Sequence, residues 1–151
     1  MQVLSFQNGK ERYCLKVEDI SQVLSEVDVV PLPRAPNFFD GIFQLRGKVI
    51  GLLNFRAVLT GETEPTPSQI LVLSEPRNHL AIRVPGMVES HFLKEDRLDL
   101  RECEEIEGDF VEGIVYDGQE IYHILSASKI FLHARSLITQ AEANLGGGER
   151  A

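Results

Sequence analysis

The sequence has no tryptophan and only three tyrosines among its 151 residues. Platforms that bind single-stranded nucleic acid stack bases on aromatic faces, and this chain has few to offer. Its net charge of −8 also opposes approach to a phosphate backbone, so no nucleic-acid partner is expected. No apolar run comes near the roughly 20 residues of a membrane-spanning helix, and no membrane insertion is expected. The first nine residues, Met1 to Gly9, lack both a basic region and a long apolar segment, so they do not read as a signal peptide; the expected location is cytoplasmic.

Groups that carry chemistry are scarce and scattered. The two cysteines, Cys14 in an apolar run and Cys103 in an acidic one, read as free thiols. The spacing of Gly41, Gly47 and Gly51 satisfies neither the phosphate loop nor the dinucleotide fingerprint. His79, His91, His123 and His133 fall in four separate segments, none at the spacing that sets two imidazoles on one metal. The carboxylates of 102–109 lack the pattern of a calcium loop. Cys14 stands mid-strand between Tyr13 and Leu15, with no helix N-terminus after it to activate a nucleophile. The expectation is a protein without cofactor, metal or catalytic residues, and not an enzyme.

What is present reads as a β-rich domain. A hydrophobic fraction of 43% with 25% charged residues allows a self-standing core, and the length fits one domain over 1–151 or two small lobes. Runs 3–7 and 12–17, separated by Asn8-Gly9-Lys10-Glu11, predict a hairpin. Ile20, Val23 and Leu24 stand at i, i+3 and i+4 behind two acids, which predicts a short helix over 18–24. Pro31, Pro33 and Pro36 then impose an extended, rigid loop. Runs 42–45 and 49–53 form a second hairpin through Arg46-Gly47-Lys48. The segment 60–68, rich in proline and threonine, is the expected linker and lobe boundary.

Beyond it, runs 70–73, 80–84 and 87–93 predict short strands, and 110–116 with 120–125 a third hairpin across Asp117-Gly118. From Ser126 to Leu145 an apolar stripe through Ile130, Phe131, Ala134 and Leu137 predicts an amphipathic helix, capped by Ser126 or Ser128. Charge is uneven: between 34 and 59 the bases Arg34, Arg46, Lys48 and Arg56 face the single acid Asp40, whereas 89–120 is densely acidic.

The stretch from Leu32 to Arg56 resembles the central signature of the CheW family. Leu32-Pro33-Arg34-Ala35-Pro36 matches its proline loop, and Gly41-Ile42-Phe43-Gln44-Leu45-Arg46-Gly47 its glycine-and-arginine hairpin, while Phe55-Arg56 opens the following helix. The order of elements fits over essentially the whole chain. The resemblance implies a mainly β fold of two SH3-like five-stranded β-barrels packed side by side with an apolar groove between them. It further implies a scaffold joining the cytoplasmic tip of a chemoreceptor helix bundle to the regulatory domain of a CheA-type histidine kinase. Carried over by position, Arg46 with its neighbour Gly47 matches the receptor-coupling turn, Ile20 and Gln22 the receptor groove, and Gly41 a glycine associated with kinase binding. The family usually has Pro at Gly51 and Asp at both Asn54 and Pro85. A small β-barrel binding a ligand or an oligonucleotide is the competing class.

Overall fold

The structure, a computed structural model, describes residues 1–60, 68–94, 98–99, 110–132 and 134–135. The expected linker interior, the acidic stretch 95–109 other than 98–99, Cys103, His133 and residues 136–145 of the expected C-terminal helix lie outside these residues.

Alternating strands and tight turns build two sheets. Strands β1 (Gln2–Asn8) and β2 (Glu11–Lys16) form the first hairpin, and a 3-10 turn, Val17–Asp19, leads into β3 (Ile20–Leu24). The second hairpin is β4 (Phe39–Leu45) with β5 (Lys48–Asn54), followed by the helix α1 (Phe55–Thr60). Then come β6 (Ser68–Leu73), β7 (Leu80–Pro85), β8 (Glu89–Phe92), the two-residue β9 (Leu98–Asp99) and the third hairpin, β10 (Val111–Asp117) with β11 (Glu120–Leu125). Helix α2 follows, helical at 127–132 and 134–135.

One sheet has six strands in the order β8-β1-β2-β11-β10-β9; the other has five, β3-β6-β7-β5-β4. The mainly β, two-lobed architecture expected from the sequence is present, with β9 as an additional short strand. Strands β5 and β6 flank the linker yet belong to the same sheet, while the first and last strands share the other through the parallel β2–β11 pair. A proline- and threonine-rich connection marks a break between elements, and the return of the chain ends to one sheet is a long-range pairing that composition does not encode.

Both faces of each sheet are buried, which explains the near-continuous apolar runs. In β6, Leu71 and Leu73 face the core between the sheets, whereas Ile70 and Val72 face a second core on the other side. In β2, Tyr13 and Leu15 face the shared core while Cys14 joins Val3, Val115 and Ile124 in a third. The shared core holds the edge-to-face rings of Phe6 and Phe55, 5.0 Å apart, and Ile130 and Ala134 of α2 close it. Ser126 caps α2, its Oγ accepting the Lys129 amide at 3.2 Å.

Candidate functional site

Strands β4 and β5 pair up to Leu45 opposite Lys48, so Arg46 and Gly47 alone make the turn. Their φ values of 52° and 82° are both positive, as the tight hairpin turn that matches strand twist requires. Gly47 adopts this freely; Arg46 is held there by the pairing on either side. Both residues are exposed. Among the described residues Arg46 has no ion-pair partner, while Lys48 beside the turn lies 4.0 Å from Glu75; at the far end of the hairpin Asp40 Oδ2 accepts Arg83 Nε at 2.8 Å. Arg83 Nη1 also donates to Ser68 Oγ at 3.1 Å, which fastens β4, β6 and β7 together.

Gly41 is buried in β4 at a register shift, with φ 142°. The backbone of Val30 and Pro31 lies directly over it. Gly41 is therefore close in sequence to Arg46 but unlike it in setting, one enclosed by backbone and the other projecting from a turn.

Ile20 and Gln22 lie in β3, at the opposite edge of the same sheet. The helix expected over 18–24 is replaced by the 3-10 turn and this edge strand. The i, i+3, i+4 pattern was carried by β-branched Ile20 and Val23, and pairing with β6 wins over the local helical signal. A further link is the bond from Ser21 Oγ to the Val72 carbonyl at 3.2 Å. Ile20 is half-buried, bordering the shared core together with Leu4 and Val88. The residues singled out from the sequence thus fall on two separate edges, Gly41, Arg46 and Gly47 on one and Ile20 and Gln22 on the other. Val30, which the sequence did not single out, is 58% exposed beside Gly41.

Two departures from the family pattern have local consequences. Asn54 Oδ1 accepts the Ala57 amide at 3.1 Å, so Asn54 performs the capping that an Asp would. The Gly51 N–H donates to the His79 carbonyl at 2.8 Å, a bond that Pro could not make. Among titratable groups, the buried Cys14 thiol is pushed far above its ordinary value by burial and, secondarily, by the Glu112 charge. His123 Nδ1 lies 3.1 Å from the Arg12 carbonyl, and its ring packs on Tyr13. Among the described residues no helix is long and apolar enough to cross a membrane.

Comparison with known proteins gives one answer at three levels. The profile of the CheW-like domain matches residues 2–135. The chain is 25% identical to a chemotaxis protein CheW of Thermotoga maritima over 128 residues, 82% of this chain and 83% of that one. It is 23% identical to a chemotaxis protein CheW of Rhizobium meliloti, over 72% of this chain and 70% of that one. The crystal structure of the scaffolding protein TtCheW from Thermoanaerobacter tengcongensis superposes with a TM-score of 0.74 at 23% identity, covering 83% of this chain and 88% of that one. With the profile spanning both sheets and the signature hairpin in place, the chain belongs to the CheW-like domain family.

Proposed function

We propose that this protein is a non-enzymatic cytoplasmic scaffold that couples chemoreceptors to a CheA-type histidine kinase. The observation that carries this reading is the family match over both sheets, supported by the placement of the candidate residues on two separate edges of one of them. A scaffold needs two surfaces that can be occupied together, and edges β3 and β4 are divided by the three inner strands of their sheet. The half-buried Ile20 on the β3 edge suits the apolar face of a receptor helix, and the exposed Arg46 guanidinium supplies a planar fork for a carboxylate or carbonyl. The mechanism is geometric: holding kinase and receptor in fixed relative placement passes the receptor's state to the kinase.

The alternative of a ligand-binding barrel is less well supported, because the two cores on the outer faces of the sheets are packed with side chains. The test is a titration of the purified protein against a kinase regulatory domain and a receptor-tip fragment, separately and together. Simultaneous binding of both supports the scaffold; competition between them, or binding of neither, overturns it.

A further inference from the structure

Strand β3 carries one residue more than the partner it pairs with. Ile20 stands opposite Leu73 and Gln22 opposite Val72, so residues 20–22 span only 72–73 on β6 and Ser21 is the extra one, a β-bulge. Beyond it the ladder is regular, with Val23 opposite Leu71 and Leu24 opposite Ile70. Leu71 and Leu73 face the shared core, Ile70 and Val72 the second core, and residues directly opposite in a ladder share a face. Ile20 and Val23 therefore belong to the shared-core face, and Gln22 and Leu24 to the other. The packing agrees, since Ile20 borders the shared core and Leu24 the second.

An unbroken strand would sort these residues differently, because alternation places i, i+2 and i+4 together. Continued regularly from Leu24, the ladder would set Ser21 opposite Leu73 and turn Ile20 to the face of Gln22 and Leu24, away from the rim of the shared core. The location of the extra residue thus decides which face receives Ile20. Strand β3 is an edge strand, paired on one side only, so no second neighbour holds that location. Two serines do. Ser21 Oγ donates to the Val72 carbonyl at 3.2 Å, a bond from the bulged residue itself to the strand it does not pair with. On the other side of Ile20, Ser74 holds the 3-10 turn: its Oγ donates to the Glu18 carbonyl and its amide to the Asp19 carbonyl, both at 2.9 Å.

We propose that Ser21 is a positioning residue for the receptor edge: its hydroxyl keeps the bulge between Ile20 and Gln22 and so presents Ile20 on the shared-core face, where a receptor helix meets it. The receptor as partner rests on the scaffold reading above. A bulge is a common means of re-aiming a side chain beside a functional surface. Here the pin is one hydroxyl on an exposed residue, so its loss leaves the core packing intact and frees the bulge to move along β3. Chains with Ile20 turned away then weaken receptor binding in proportion to their share of the population.

The test compares Ser21→Val with Ser21→Thr in the full chain, two side chains of nearly the same shape of which only the second keeps the hydroxyl. Both are titrated against a receptor-tip fragment and a kinase regulatory domain. The pairing of Ile20 with Leu73 and of Gln22 with Val72 is followed by cross-strand nuclear Overhauser contacts. Ser21→Val should lose part of those contacts and about five- to tenfold in receptor affinity, the scale of one hydrogen bond, with kinase affinity and melting temperature near native. Ser21→Thr should keep both pairing and affinity. Native pairing with native receptor affinity in Ser21→Val, or a Ser21→Thr protein that fails in the same way, would overturn the role of the hydroxyl. Lost receptor affinity with native pairing would make Ser21 a direct contact, and equal loss of both partners with a lowered melt would make it a general structural residue; either result overturns the positioning role. If the unmodified chain binds no receptor tip, the scaffold reading fails and the receptor assignment falls with it, while the Overhauser contacts still decide whether Ser21 holds the bulge.

Discussion

Arg83 on β7 reaches across the end of β5 to hold Asp40 on β4, Nε to Oδ2 at 2.8 Å. The pair ties the end of β4 opposite the Arg46-Gly47 turn to the middle of the sheet. Both partners are about three-quarters buried, so the pair is shielded from water more than a surface ion pair is. Arg83→Met should leave Asp40 uncompensated and cost about 1–2 kcal/mol, with part of that recovered in the double variant with Asp40→Asn. Denaturant melts of the two singles and the double check this; strictly additive losses would mean the two side chains do not interact.

Arg46 should behave as a surface residue. Arg46→Glu is expected to leave the melting temperature unchanged and to weaken binding to a receptor tip or kinase domain by about 2 kcal/mol, roughly thirtyfold. Arg46→Gly, by contrast, relieves a positive φ and should raise stability by about 0.5–1 kcal/mol while still losing the contact. A lower melt in Arg46→Glu with uniform loss of all binding would make Arg46 an internal brace.

Much of this architecture was legible in the residues, and the gaps have physical causes. The three hairpins were readable from Gly9, Gly47 and Gly118, yet two are displaced by one residue. Asn8 pairs with Glu11 and Asp117 with Glu120, so Gly9-Lys10 and Gly118-Gln119 make the turns, with glycine as the first central residue at positive φ. A dipeptide signal locates a turn but does not choose between primed types, since strand register decides. The edge strand β3 was hidden because five residues fit both periods, and its partner β6 lies about 50 residues further along the chain. Arg46 was readable as a turn residue. The lid over Gly41 was not, because it depends on the Val30–Ile42 bridge, a pairing without a sequence pattern.

Cys14 should be inert in the folded protein. Its thiol is buried and its proton is held tightly by burial, so native alkylation at pH 8 is expected to spare it and denaturation to expose it. Replacement by Ser should cost a modest amount of stability and leave partner binding intact. Rapid labelling of Cys14 in the native state, followed by mass spectrometry, would contradict its placement in the core.

The described turns of α2 should be structural. Ile130 and Ala134 are buried in the shared core, whereas Phe131 is only partly covered. Ile130→Ala is therefore expected to cost about 2–4 kcal/mol. A native melt with reduced partner affinity would instead identify this helix face as a docking site.

The turn between the sheets carries a pH dependence of its own. Asp19 is raised above its ordinary value of 3.8, chiefly by burial, with the Lys16 charge opposing. An acid that binds its proton more tightly when folded favours folding in its protonated form. Its contribution is present at low pH and is lost as pH rises from 3.8 through the folded value. At neutral pH the buried charge is a liability, and Asp19→Asn should raise the melting temperature. The Ser74 amide bonds the Asp19 backbone carbonyl at 2.9 Å, so the substitution leaves that link in place. Lys16 has the opposite sense. Its bond to Glu112 at 2.6 Å raises it above 10.5, so its stabilisation holds through neutral pH and is lost only as pH climbs past the folded value. Lys16→Met should accordingly lower the melt at pH 7 and flatten the alkaline decline. Melts of both variants between pH 3 and pH 11 decide the matter: the gain from Asp19→Asn should shrink as pH falls towards 3, and an Asp19→Asn protein less stable than the native one at pH 7 would mean that the Asp19 carboxylate is held by attraction to Lys16 more than it is penalised by burial.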